Sequence, residues 1–492
     1  MKLLCLLIAL YVSGIPVLYA QGLNFNDSAY RKLPQKPSHQ VIGDHGLPPR
    51  VDWSMYVPTV INQGKLGTCV GVSTAYYMRT ILEAKRLNIT DREAVDALRY
   101  SPSFLYNSIK NEGDNDCSKG TEVEKALAYL KKHGVARFSE QGYPYCGQNK
   151  PLTLAAESKI LDYIRLFSLT DRPESVVTAT QKALAEGTPV IVGIQTTPSL
   201  DDLGFWGKLW LRILQFFGQA PNDEIGLWNP AKSKVLRGGH AVCVIGYDNA
   251  KFGGAFHLVN SRGEDWGDNG FFWIRYEDYI KHAKYGFQAY LPTPSHSTAV
   301  VLSGDVTIEF ASLLSNNEVP FLRKFSDNAA DSSDKIVAYT LRYPQPSGTR
   351  FKFSTNVDKQ SYLYVLGANA TQGSTDKLFP FADSVSAIIG ADTKVVLPSE
   401  NQLYQLDQTT GTEYWLFLFS ETALDINGYI TRLNAGSGTF PQRVLSVFGQ
   451  ESVPFGQVDY KTKKIGFELR GKHTGTVVPL LISLRHIDKR SW

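Results

Sequence analysis

The chain has 492 residues, room for two or three domains. Its 43% hydrophobic and 20% charged residues are ordinary for globular protein, which argues against a disordered or low-complexity chain. A formal net charge of +4 over this length gives no case for nucleic-acid binding.

Met1-Lys2 followed by the apolar run Leu3 to Tyr19, closing on Ala20, reads as a secretory signal peptide over 1–20. The run is near the lower limit for spanning a bilayer, so an uncleaved anchor is the rival reading. An exported chain would keep Cys69, Cys117, Cys146 and Cys243 in an oxidising setting. Residues 21–46 are polar and read as an irregular segment.

Gln63 to Ser73 (Gln-Gly-Lys-Leu-Gly-Thr-Cys-Val-Gly-Val-Ser) leads into an apolar-periodic stretch. Val72, Ala75, Tyr76, Ile81 and Leu82 fall on a helical period, predicting a helix from Cys69 to about Arg86. A second helix is expected from Thr121, with Thr121 and Glu124 as a capping box and Gly134 as the stop. A third starts near Asp171, with Pro173 in its first turn, and ends at Gly187. Strands are predicted at Pro189 to Gln195, Ala241 to Tyr247, Gly254 to Val259 and Gly270 to Tyr276.

An insertion of about 199–223 interrupts this order. Within it Phe205 to Phe217 is aromatic or aliphatic almost throughout, yet too short to span a bilayer. It reads as a substrate-shaping lid, a membrane-surface helix, a docking site or a buried extra helix. Ser295, Ser297 and Thr298 mark a linker over 293–302. Residues 303–492 then alternate as strands do, at Phe351 to Ser354, Ser361 to Leu366, Lys394 to Leu397 and Tyr414 to Phe419. The nine histidines show no ligand spacing with cysteine or carboxylate, and no phosphate-cradling glycine loop is present, so neither metal nor cofactor is expected.

Four residues carry chemistry together. A thiol is a weak nucleophile until deprotonated, and Cys69 at a helix start sits where unpaired N–H groups favour a thiolate. His240, in Gly238-Gly239-His240-Ala241-Val242, can take the proton. Asn260, in Val259-Asn260-Ser261, can hold the imidazole in one orientation and tautomer. Gln63 can donate to an oxyanion beside the Cys69 backbone N–H. Each has a structural rival: a buried cysteine, a core histidine, a turn asparagine, a glutamine bonded to local backbone. Cys243, in a β-branched run, reads as buried and inert.

These stretches resemble the papain family of cysteine peptidases. Leu47 to Ser54 is similar to the start of the mature domain, His240 to Tyr247 to the histidine strand, and Asn260 to Phe271 to the asparagine loop. The resemblance covers about Leu47 to Pro292. It implies a two-lobe α+β fold, a helical lobe plus a β-barrel-like lobe, with the site in the cleft between them. It assigns Cys69 as nucleophile, His240 as base and acid, Asn260 as its orienter and Gln63 as oxyanion donor. Gly120 matches a glycine whose backbone pairs with the substrate, although the family's second glycine is Lys119 here. Trp266 is the other candidate substrate contact, with packing in its own loop as the rival. The resemblance also implies a Cys117–Cys146 disulfide.

This chain departs from the family at the site. Leu66 stands where a disulfide cysteine is usual, Val70 where an aromatic lines the cleft, and Arg262 where a tryptophan shields the His–Asn pair. The 171 residues from Cys69 to His240 exceed the usual span of about 130–150, which the insertion accounts for. Residues 21–46 are far shorter than the inhibitory pro-segments of papain-like zymogens, suggesting a different mode of control or none. In the C-terminal part, Tyr362 to Leu366, Leu378 to Pro380 and Gly411 to Trp415 resemble a bacterial accessory β-domain of unknown function.

The expectation is a secreted or periplasmic cysteine endopeptidase at 47–292, followed by an all-β sandwich-like domain at 303–492. Its partner would be a protein or peptide substrate and not nucleic acid. Contact with a cell or membrane surface is one reading of 205–217 or of the C-terminal domain. A catalytically inactive papain-like binding module and an acyl transferase or isopeptidase are the alternatives.

Overall fold

The computed structural model describes residues 21–37, 40–42, 46–204, 226–292, 300–311, 321–326, 335–399 and 401–489. The expected signal peptide, the aromatic run of the insertion and the serine-marked part of the linker lie outside them. The chain divides into two compact units. One takes the described residues up to Arg31 with Pro49–Leu184 and Thr188–Pro292; the other takes Lys32–Pro48, Ala185–Gly187 and the described residues from Val300 onward.

The helical part of the first unit is built on one long helix. It is α-helical at Cys69–Gly71, π-helical at Val72–Arg79 and α-helical again at Thr80–Leu87. Every residue from 69 to 84 is buried, so the helix is covered on all sides rather than amphipathic. The buried Arg79 guanidinium is held by Glu83 at 2.8 Å. Asn88, at φ 54°, ends the helix in the left-handed region that asparagine tolerates. The helix Pro102–Ile109 packs beside it, capped where the Ser101 hydroxyl accepts from Phe104 N–H at 3.0 Å.

The expected capping box at Thr121 is corrected. That helix runs Val123–Lys132, and the Thr121 hydroxyl donates to the Ile109 carbonyl instead. The Glu124 carboxyl is buried, with no hydrogen-bond partner for either oxygen among the described residues. Burial pushes its pKa up to about 7. The stop at Gly134 holds, at φ 83°. The helix Pro173–Ala185 begins on the proline that the sequence marks.

The β part is a sheet in the order Asp162–Arg165, Ala283–Tyr290, Val190–Gln195, Gly239–Asp248, Ala255–Val259, Phe271–Arg275, Leu227–Trp228. Arg50–Asp52 adds to it by pairing with the Gly239–Asp248 strand. Val190, Val192, Ile194, Val242, Val244, Phe256, Leu258 and Phe272 build its core with Leu184 and Trp228. Each such side chain contributes about 1.5–3 kcal/mol by leaving water. Helices first, sheet second, is the α+β arrangement expected.

The second unit has two sheets facing one core. Leu302, Phe353, Val395 and Phe467 come from one; Leu363, Phe417, Phe419 and Ile482 come from the other. This is the expected sandwich, with two helices added at Ile426–Ala435 and Phe440–Phe448.

The irregular segment expected at 21–46 is also corrected. Asp27–Lys32 is helical, and Gln40–Ile42 pairs with Thr393–Leu397 in the second unit. Asn26 Oδ1 accepts from Ala29 N–H at 3.1 Å and starts that helix, and Tyr30 anchors it by complete burial. One aromatic among six residues, four of them polar or charged, leaves no periodicity to read.

Candidate functional site

Cys69 is the first residue of the central helix, and its side chain is fully buried. The Ala241 N–H donates to its Sγ at 3.5 Å, setting the thiol against the strand that carries His240. Burial pushes the thiol pKa up to about 11, opposed by backbone N–H groups of Ala241, Gly22 and Val70. The second free thiol, Cys243, is buried in the same strand, and burial raises its pKa further. Cys117 and Cys146 form the expected disulfide.

His240 Nε2 lies 2.8 Å from Asn260 Oδ1. The same oxygen accepts from Ser261 N–H at 2.8 Å, which fixes it as oxygen rather than amide nitrogen. Nε2 therefore carries the hydrogen, and Nδ1 of the neutral ring holds a lone pair. Nδ1 is buried with no hydrogen-bond partner among the described residues. Burial pulls the His240 pKa down to about 4; the positive Arg262 adds to this, while Asn260 and Asp201 oppose it. Burial thus favours the neutral form of both the thiol and the imidazole.

The asparagine loop is held from two sides. Tyr77, in the π-helical stretch, donates its hydroxyl to the Asn260 carbonyl at 2.8 Å. Gln63 N–H donates to the Ser261 carbonyl at 2.8 Å, and the Ser261 hydroxyl donates to Gln63 Oε1. The Gln63 amide nitrogen donates to Leu66 O at 2.8 Å. Gln63, Cys69, His240 and Asn260 thus come together on three adjoining elements.

Trp266 is placed differently from the expectation of a substrate contact. It is 2% exposed and packs on Phe272, with the Arg262 guanidinium 5.5 Å from its ring centroid. Its bulk goes into the core of the sheet.

The cleft holds a segment that sequence reasoning missed. Leu23 N–H donates to the Gly239 carbonyl at 3.1 Å, one residue before His240. On the other side Thr121 N–H donates to Gly22 O and Asn24 N–H donates to Thr121 O, both at 2.9 Å. Residues 22–24 thus bridge the segment next to Gly120 and the strand next to His240. Gly22 passes so close that a Cβ there would lie 1.9 Å from Gly67 O, and a Cβ on Gly120 would lie 2.3 Å from Gly22 O. The Leu23 and Phe25 side chains rest against Gly193, and Phe25 packs edge-on to Tyr285. The only signal in the sequence is Gly22 itself.

Arg262 is nearly fully buried. It pairs with Asp201 at 2.6 Å, whose other oxygen is taken by Arg237. Asp201 and Arg237 carry no motif that would have singled them out.

The part of the chain that carries this site matches a known family. Residues 47–203 and 224–292 match the family described as "Papain family cysteine protease", and 346–423 match a domain of unknown function, DUF4384. The KDEL-tailed cysteine endopeptidase CEP2 of Arabidopsis thaliana is 26% identical over 265 residues, covering 52% of this chain and 63% of that protein. Cathepsin J of Rattus norvegicus is 28% identical over 262 residues, covering 52% of this chain and 68% of that protein. The chain therefore spans about two thirds of the length of these relatives. Xylellain, a cysteine protease from Xylella fastidiosa, superposes with a TM-score of 0.40 at 22% identity, covering 56% of this chain and 97% of that one. With the matched segments carrying the cysteine, histidine and asparagine in one buried cluster, the chain belongs, through residues 47–292, to the papain family of cysteine proteases.

Proposed function

We propose that this protein is an exported cysteine endopeptidase, latent while residues 21–25 occupy its cleft. The observation that carries the reading is the His240 tautomer: Asn260 fixes the hydrogen on Nε2 and leaves Nδ1 as a base beside the strand contact of Cys69. The Cys69 proton passes to Nδ1, and the sulfur attacks the peptide carbonyl carbon. The oxyanion is met by the Cys69 N–H and the Gln63 amide. The imidazolium returns the proton to the leaving amine, and water then hydrolyses the thioester through the same base. Gly120, next to the backbone that now pairs with Gly22, is the place where an extended substrate would lie. Export is supported by the Cys117–Cys146 disulfide. Among the described residues no helix is long and apolar enough to cross a membrane.

A thiol-alkylating epoxide and a peptide library test the reading on full-length chains. Leu23→Asp places a charge against the apolar wall of Gly193 and loosens the segment. The Leu23→Asp chain is expected to label at Cys69 and to cleave internal peptide bonds faster than wild type, and Cys69→Ser to do neither. If neither wild type nor Leu23→Asp labels faster than free cysteine, the site is a binding module and the proposal fails. Transfer to an added amine without hydrolysis would instead favour a transferase.

A further inference from the structure

The Asp201 carboxylate joins the two chain segments that deliver the His–Asn pair. Arg237 lies three residues before His240, and Arg262 lies two residues after Asn260. Both guanidiniums end on Asp201, Arg262 on one oxygen and Arg237 on the other. The Pro198–Leu203 turn that presents Asp201 is itself fixed. Leu200 is fully buried, Ser199 takes the Trp228 indole N–H at 3.1 Å, and Leu203 O accepts from Gly267 N–H of the asparagine loop at 2.8 Å.

An isolated buried guanidinium beside an imidazole would be costly twice. It would lose its own hydration, and it would oppose the imidazolium that forms when His240 takes a proton. A carboxylate bonded to the guanidinium offsets both costs. It also keeps the flat Arg262 head over Trp266, where its charge is felt by His240. We propose that Asp201 is a positioning residue for the Cys69–His240–Asn260 site: its carboxylate holds the Arg262 guanidinium as the cover of the His240–Asn260 hydrogen bond and offsets its charge. The inference rests on the peptidase reading above. Among the described residues, the charged groups acting on His240 are Arg262, from the asparagine loop, and Asp201, from the 198–203 turn. Arg237 acts on Asp201, and the central helix brings two titratable groups to the site, Cys69 and Tyr77.

The two partners of one ion pair should move the site in opposite directions. The test measures peptide hydrolysis from pH 4 to 9 in full-length Leu23→Asp chains. Asp201→Asn leaves Arg262 uncompensated, so the acid limb of kcat/KM should move down by about one pH unit while kcat falls. Arg262→Gln removes the positive charge that acts on His240 and leaves Asp201 paired with Arg237 alone, so the limb should move up. Asp201→Glu keeps the charge and should leave the limb in place. Limbs that stay put, or move together, overturn the proposal even where rates fall, because a packing role alone does not choose a sign. If Arg262→Gln fails to fold, the contrast between Asp201→Asn and Asp201→Glu decides. A parent chain with no hydrolysis at any pH, and labelling no faster than free cysteine, overturns the peptidase reading and this inference with it.

Discussion

Tyr77 and Asn260 are joined by a buried hydrogen bond of 2.8 Å, from the tyrosine hydroxyl to the asparagine backbone carbonyl. The helix that starts at the nucleophile thereby holds the loop that orients the base. Tyr77 lies in the π-helical stretch, whose wider turn is a common device near functional sites. Tyr77→Phe keeps the ring and removes only the hydroxyl, which also accepts from Ile61 N–H at 3.4 Å. It should lower stability by about 1–3 kcal/mol, because a buried carbonyl loses its partner. It should also slow peptide hydrolysis more than it weakens substrate binding. Thermal unfolding and a kcat-against-KM comparison check both.

Asn260→Ala removes the acceptor that fixes the His240 tautomer. The kcat is expected to fall by at least tenfold, about 1.4 kcal/mol in the barrier, with little change in KM. Steady-state kinetics in the Leu23→Asp chain would show this; an unchanged kcat would mean that the ring needs no orienter.

Gly22→Ala tests the cleft segment without changing a catalytic side chain. A Cβ would fall 1.9 Å from Gly67 O, a backbone atom that cannot step aside. The segment should lift, and Cys69 should alkylate faster. The pH dependence should change with it. In wild type, burial holds the thiol pKa near 11, so labelling keeps climbing in alkali. Once exposed, the thiol returns toward its ordinary value and labelling levels off at lower pH. Equal pH profiles would contradict a segment-covered thiol.

Glu124 gives a stability prediction with a definite sign. Its folded pKa is raised from 4.5 to about 7 by burial, so the folded state holds a proton that the unfolded state has already lost between those values. Stability from this group is full below about pH 4.5 and declines as pH rises toward 7, by about 3 kcal/mol at most. Glu124→Gln should flatten that decline. Melting temperatures at pH 5 and pH 8 suffice to see it.

The disulfide between Cys117 and Cys146 closes a loop across 29 residues. Replacing both with serine should cost about 2–4 kcal/mol of stability. Chemical unfolding with and without reductant separates this loss from any effect of reductant on Cys69.

The parts of the fold that the sequence made legible are those with local signatures. The histidine strand reads as Ala-Val-Cys-Val-Ile, and the structure makes it Gly239–Asp248, buried almost throughout. The helix at Cys69 follows its apolar period, although the period does not reveal the π-helical stretch. What stayed hidden is made by long-range contact. Gly22 and Leu23 find partners at Thr121 and Gly239, nearly a hundred and more than two hundred residues on. Asp201 meets Arg262 from 61 residues away. Thr121 carries a fair capping signature, yet its backbone is used by Gly22 and Asn24 and its hydroxyl by Ile109, so the helix starts two residues later. Trp266 lies in the stretch that resembles the family's asparagine loop, and the sheet core claims it.

The contact of Gly22 with Gly67 and Gly120 is main chain against main chain. A latch of this kind is keyed mainly by the absence of side chains at three glycines, with Leu23 and Phe25 seating it on Gly193. A residue larger than glycine at one of those positions would pry it open, as would a charge at Leu23. Selection for a readier or slower release would act on when the segment is displaced or cut, and very little on which residues flank it.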